Sequence, residues 1–209
     1  MTKKTLIDEL IREGVLSDPR VLHAFEEVDR ADFVPESLKA SVYDNIPLPI
    51  GYGQTISQPY TVAFMLSTLD VPEGGKILEA GAGSGWQTAL LAHLVGKKGR
   101  VYAFEIIPEL KEFGEKNLAR SYPDLAKRVT FFAKSAERGL PKEAPFDRII
   151  AAAMLPDIPD AWREQLKTGG KMVFPFRGSI YVLTKKSDTE FEKEVFPGFV
   201  FVPFVKKSK

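Results

Sequence analysis

The chain has 209 residues, 44% of them hydrophobic and 27% charged, with a formal net charge of +1. Such a composition gives one generous globular domain with a real core, and it offers no charge excess to gather nucleic acid or an anionic membrane. The absence of cysteine excludes a disulfide framework, a thiolate nucleophile and a thiolate metal site, and no apolar run approaches the ~18 residues of a membrane span.

Residues 3–13 place Leu6, Ile7, Leu10 and Ile11 on one helical face, with Gly14 as a stop. Asp8 and Glu9 interrupt the apolar stretch here, which argues against a signal peptide and for a cytoplasmic protein. Asp18 is a natural cap and Pro19 a natural first-turn residue for a second helix, whose buried stripe is Val21, Leu22, Phe25 and Val28. The only histidines, His23 and His93, sit on separate apolar-periodic segments, where structural or surface roles suit them better than metal binding. Residues 43–60 hold three prolines and two glycines without helical period, and predict an extended, ordered loop. A helix over 59–69 follows, with Val62, Met65, Leu66 and Leu69 inward.

Regular alternation then sets in. Strands are expected at 76–80, 100–105, 128–133, 146–152 and 171–176, and helices at 85–95, 108–120 and 159–166. Alternation of this kind predicts a doubly wound, mainly parallel α/β sheet covered on both faces. The remainder reads as strands between polar turns, including 181–184 and 199–205, with Lys206, Lys207 and Lys209 as a solvated basic tail. The chain is therefore expected to form one domain: a helical extension and loop over 1–58, a ligand-binding core over 59–178 and C-terminal strands over 179–209.

The most informative stretch is 76–105. A strand ends in Glu79, the loop Gly81-Ala-Gly83-Ser-Gly85 follows, and after a helix the next strand ends in Glu105. Alternating glycines let a backbone turn sharply and approach a ligand closely. Glu105 stands where a strand-end carboxylate receives ribose hydroxyls, and Ser135 follows another strand that opens on the same crevice. A dinucleotide fits poorly, because the third glycine of G-x-G-x-x-G would fall at Trp86, and no phosphate cradle of the G-x-x-x-x-G-K type occurs. Acids before and after the loop suit a ligand with a ribose and a cationic amino-acid end but no phosphates. S-adenosylmethionine answers that description, with Glu79 near its amino-acid end, and the loop resembles the E-x-G-x-G-x-G turn of Rossmann-like methyltransferases.

A second constellation narrows the family. Y-D-N-I-P-L-P-I-G-Y-G-Q-T-I-S-Q-P over 43–59 resembles the signature loop of protein-L-isoaspartate O-methyltransferases. Similar segments follow in order across nearly the whole chain: D-R-A-D-F-V-P (29–35), E-A-P-F-D-R-I-I (143–150), I-P-D-A-W-R-E-Q-L-K-T-G-G-K (158–171) and F-V-P-F (201–204). The resemblance implies a repair enzyme that moves the methyl of S-adenosylmethionine to the α-carboxylate of L-isoaspartyl residues in damaged proteins, and the chain is expected to be a monomer. The ester formed then collapses to a succinimide.

The same resemblance implies Ser57 as the active-site residue and Ile56, Ser57 and Val202 as substrate contacts. It implies cofactor contacts at Gln54, Thr55, Ile56, Glu79, Gly81, Gly83, Gly85, Glu105, Ser135 and Ala136, and no metal. Two alternatives stay open: a carboxylate methyltransferase with another peptide acceptor, and a fold that binds cofactor without turnover. Read from spacing alone, Ser57 is equally a cap for the helix over 59–69. The sequence also departs from the family after the strand over 129–133. Lys134-Ser135-Ala136 stands where G-D-G is usual, its acid meeting the adenine amino group, and Glu137 lies just beyond. Trp86 stands where Tyr is common.

Overall fold

The computed structural model describes residues 1–204. Its centre is a seven-stranded sheet in the order β5-β4-β3-β6-β7-β8-β9. The strands are β3 (Lys76–Ala80), β4 (Arg100–Glu105), β5 (Val129–Ala133), β6 (Phe146–Ala151), β7 (Leu166–Phe176), β8 (Ser179–Lys185) and β9 (Phe191–Pro197). The first five run parallel, and β8 and β9 add an antiparallel edge. From β3 the chain winds outward through β4 and β5, then crosses back to lay β6 on the other side of β3. That reversal opens a crevice beyond the carboxyl end of β3, the usual ligand position in such sheets.

Period-two alternation in the strands separates two cores. Ile77, Val101, Ile150, Val173 and Val182 face one of them, shared with helices α1 (Lys3–Arg12), α2 (Pro19–Glu27), α3 (Pro59–Leu69), α4 (Trp86–Leu94) and α5 (Pro108–Ser121). Their neighbours Leu78, Tyr102, Ile149, Met172 and Leu183 face the other, closed by Trp162 of α7 (Asp160–Gln165). A four-residue helix, α6 (Pro123–Ala126), leads into β5. The N-terminal extension is thus continuous with the core of the sheet. Its caps form as the sequence predicts: Asp18 accepts from Arg20 N at 2.7 Å, and Gly14 leaves α1 with φ of 75°. No helix among the described residues is long and apolar enough to cross a membrane.

The structure corrects several expectations. The extended loop contains an antiparallel hairpin, β1 (Leu48–Gly51) with β2 (Gln54–Ile56), and two 3-10 turns precede it at Arg30–Phe33 and Glu36–Ser41. Strand β7 starts five residues earlier than expected, at Leu166. The edge strand near the C-terminus is Phe191–Pro197, and residues 199–204 are not a strand. Gly198, with φ of 94°, turns the chain off the sheet edge, and Pro203 has no N–H to give a ladder. The chain crosses the strand ends instead, where Met154 N donates to Val202 O at 2.8 Å and Phe204 N to Met154 O at 2.9 Å. Val205 and the basic tail lie outside the described residues.

Candidate active site

The glycine loop is built almost wholly from backbone. Gly81 N and Ala82 N both donate to Phe104 O, at 2.8 and 3.0 Å, which ties the loop to the end of β4. Glu105 completes the tie: its Oε2 accepts from Gly83 N at 2.9 Å and its Oε1 from Ile107 N at 3.0 Å. A carboxylate has about four acceptor positions, so each oxygen keeps one for a ligand, and Glu105 lies on the wall of a cavity over the loop. Gly81 and Gly83 form its floor with φ of 88° and 53°. A Cβ on Gly83 would come within 3.3 Å of Ile50 Cδ1, across the cavity in the hairpin.

Ten of the residues expected in the site line this cavity. They are Gln54, Thr55, Ile56 and Ser57 from the hairpin, Gly81 and Gly83 from the loop, Glu105, Ser135 and Ala136 at strand ends, and Val202 from the C-terminal crossing. Two expected contacts are not on its wall. Glu79 is fully buried beneath the loop, where its oxygens accept from Gln87 Nε2 at 3.0 Å and Thr88 Oγ1 at 2.6 Å. Burial pushes the Glu79 carboxyl up to about 7, against those two hydrogen bonds, and the Glu105 carboxylate adds to the rise. Glu79 therefore fixes the start of α4 from below and stands off the cavity wall. Gly85 is also off the wall. It has φ of 89°, and a Cβ there would lie 2.8 Å from Gly114 O, so this glycine exists for the close approach of α5.

Other lining residues were not expected as contacts. Ile106 and Ile107 follow Glu105 and give the cavity an apolar wall, as does Phe104. Lys134 lines it with its ammonium 4.9 Å from the Phe132 ring centre and 5.5 Å from that of Phe104. Trp86 is on the wall and 3% exposed, and its Nε1 has no hydrogen-bond partner among the described residues. A floor opened by missing Cβ atoms, a prepared carboxylate, apolar walls and an orphaned indole N–H fit a nucleoside-bearing ligand. Ser135 is less available than its position suggests, because its Oγ accepts from Glu137 N at 3.2 Å.

A second cavity adjoins the first. Thr55, Ser57, Ala152 and Val202 stand on both walls. The rest of its lining, from Pro47, Gln58, Thr61 and the 198–201 segment, is uncharged. Ser57 does not cap α3: Gln58 is the N-cap residue, and the first-turn Tyr60 N donates to Asn45 Oδ1 at 3.0 Å. The Ser57 backbone carbonyl instead accepts from Arg30 Nη2 at 3.0 Å. Among the described residues no group of three or more His, Cys, Asp or Glu is placed to hold a metal.

Comparison with known proteins identifies the family. The family model for protein-L-isoaspartate (D-aspartate) O-methyltransferase matches residues 1–209. The protein-L-isoaspartate O-methyltransferase of Hyperthermus butylicus is 42% identical, over 97% of this chain and 88% of its own. That of Methanothrix thermoacetophila is also 42% identical, over 99% and 96%. A crystal structure of the Plasmodium falciparum enzyme in complex with S-adenosyl-L-homocysteine superposes with a TM-score of 0.89 at 26% identity, covering 99% of this chain and all of that one. With its sheet order, its glycine loop and its signature hairpin over one site, the chain belongs to the protein-L-isoaspartate O-methyltransferase family.

Proposed function

We propose that the cavity over the glycine loop binds S-adenosylmethionine, that the adjoining cleft admits the free α-carboxylate of an L-isoaspartyl residue, and that Ser57 acts where the two meet. As a member of its family the protein is an S-adenosylmethionine-dependent methyltransferase of isoaspartyl repair. The assignment of roles to residues rests on one observation above the others: Ser57 is on the wall shared by both cavities.

When bound, the cofactor supplies an electrophilic methyl group, and that chemistry is its own. Glu105 holds ribose hydroxyls with its two remaining acceptor positions, while Ile106, Ile107 and Phe104 present apolar surface to the base. Gly81 and Gly83 let the ligand lie against backbone. On the acceptor side, a carboxylate with pKa near 4 is ionised at pH 7, so no general base is required. The neutral lining of the cleft suits this. Ser57 donates one hydrogen bond that orients the carboxylate without the strong ground-state hold a lysine or arginine would exert. The chain's contribution is alignment and exclusion of water, which together lower a barrier by several kcal/mol. The same reading has the enzyme act as a cytoplasmic monomer on isoaspartyl-containing proteins, with no nucleic-acid or membrane partner.

The test is transfer of labelled methyl to an isoaspartyl peptide and to its aspartyl twin. Methylation of the first alone is expected, and equal labelling of both would overturn the acceptor assignment. In the same assay Ser57→Ala lowers kcat while cofactor affinity stays within a few fold, the mark of an interaction made in the transition state. An unchanged kcat would remove Ser57 from the reaction.

A further inference from the structure

Arg30, in the N-terminal extension, is 2% exposed and makes no salt bridge among the described residues. Its backbone is fixed by its neighbour: Asp29 Oδ1 accepts from Ala31 N at 2.9 Å, Tyr43 Oη donates to the same carboxylate at 2.9 and 3.0 Å, and Asp29 N donates to Tyr122 Oη at 2.7 Å. The guanidinium then reaches inward to four backbone carbonyls. Nη1 donates to Val42 O at 2.7 Å and Asp44 O at 3.3 Å, and Nη2 donates to Ile46 O and Ser57 O, both at 3.0 Å. Its Cζ lies over the Trp86 ring, 5.3 Å from the ring centre.

These acceptors are not scattered. Val42, Asp44 and Ile46 lead into strand β1, and Ser57 directly follows strand β2, so one side chain holds both feet of the hairpin that roofs the cavity. Gln58 adds a lighter tie between the same feet, donating to Asn45 O at 2.9 Å. We infer that Arg30 is a positioning residue for methyl transfer: its planar fork clamps the two feet of the β1–β2 hairpin and thereby sets where Ser57 stands relative to the cofactor cavity. A lysine cannot reproduce this, because an ammonium offers a point charge and three donors, not a rigid planar fork. Burial draws the Arg30 guanidinium down to about 10, with Asp44 opposing, so it remains charged at neutral pH. Burying a charge without a paired carboxylate is costly, and the four carbonyls, all placed on the functional loop, are what the fold gains for it.

The inference rests on the reading that Ser57 faces the acceptor, so its test has one arm that does not. The full chain would be compared as wild type, Arg30→Met and Arg30→Lys. Amide hydrogen exchange over 48–57 is expected to accelerate at least about tenfold in Arg30→Met, while exchange over 76–80 stays at the wild-type rate. For an isoaspartyl peptide, kcat/KM is expected to fall about 100-fold, and the dissociation constant for S-adenosylhomocysteine to rise no more than about fivefold. Arg30→Lys should fall between the two in every reading, and it carries the comparison if the methionine variant does not fold. Exchange over 48–57 at the wild-type rate would overturn the proposal. So would cofactor affinity falling in step with kcat/KM, which is what a general loosening of the core gives. Should the wild-type protein leave the peptide unmethylated, the assignment of Ser57 falls, and the exchange comparison still decides whether Arg30 clamps the hairpin.

Discussion

The two walls of the site are made by different means. The floor, over 81–85, is a short run of backbone whose shape follows from its own glycines and from one carboxylate on the next strand. The roof, the hairpin from Leu48 to Ile56, has two short strands and a register shift between Pro49 and Gly51. It is held from outside by Arg30, 12 to 27 residues away along the chain. A floor fixed locally gives a constant geometry for a cofactor common to every turnover. A roof tied by side chains from another segment takes its position from the fold as a whole. Substitutions in the floor should therefore act on folding and cofactor affinity, and those in the roof on turnover.

The strongest challenge to that contrast is at Gly85. Its φ of 89° costs an L-residue roughly 1–2 kcal/mol, and a Cβ 2.8 Å from Gly114 O forces α4 and α5 apart. Gly85→Ala should cost about 3 kcal/mol or more in total, seen as a large drop in thermal midpoint. A variant as stable as wild type would show that the floor is not fixed by its glycines.

Glu79 should give a smaller effect with a distinct pH signature. Its carboxyl is raised to about 7 in the folded protein, against about 4.3 in an unfolded chain. Between those values the folded state keeps a proton that the unfolded state has lost, so stability falls as pH rises through this window and levels above it. Glu79→Gln, which cannot ionise, should flatten that slope, a difference on the order of a few kcal/mol between its ends. Chemical unfolding of both proteins from pH 4 to 8 checks it, and parallel slopes would show that Glu79 does not titrate there.

Glu105 tests the division of labour directly. Glu105→Ala removes charge-assisted hydrogen bonds from the cofactor side and should weaken S-adenosylhomocysteine binding at least about tenfold. Calorimetry on a folded variant with unchanged affinity would remove Glu105 from the site. The smallest effect is expected at Ser135, whose hydroxyl already accepts from Glu137 N. Ser135→Asp should tighten cofactor binding by about 1 kcal/mol, since a carboxylate accepts from an adenine amino group more strongly than a hydroxyl does. Weaker binding by this variant would mean that backbone at 135–136 already does the work.

Reading along the chain recovered the floor better than the roof. Glu105 was legible because a strand-end acid at a fixed distance from a glycine loop has few other uses. Glu79 carries a similar signal but lies buried beneath the loop, off the cavity wall. Its spacing is that of a ligand contact, but whether an acid points up into a cavity or down onto Thr88 depends on packing that no spacing records. Gly85 belongs to the right motif with a different purpose, because its neighbour Gly114 is supplied by a helix 29 residues further on. Ile106 and Ile107 went unnoticed because apolar pairs at strand ends are common and signal nothing alone.

The order of strands and helices, the glycine turn and the family signature were determined by the sequence itself. They depend on periodicity, on residues that alone tolerate positive φ, and on a long ordered match, all of which are local or linear properties. Only the tertiary structure decided that residues 48–56 fold as a hairpin, that Ser57 does not cap α3, and that Arg30 binds both feet of that hairpin. Arg30 is the clearest case, for in the sequence it belongs to the 29–35 segment that resembles the family, yet nothing there says that its charge is buried. Its burial becomes favourable only when carbonyls from two distant segments are brought to within hydrogen-bond reach of one guanidinium. That convergence is a property of the folded chain and of no stretch within it.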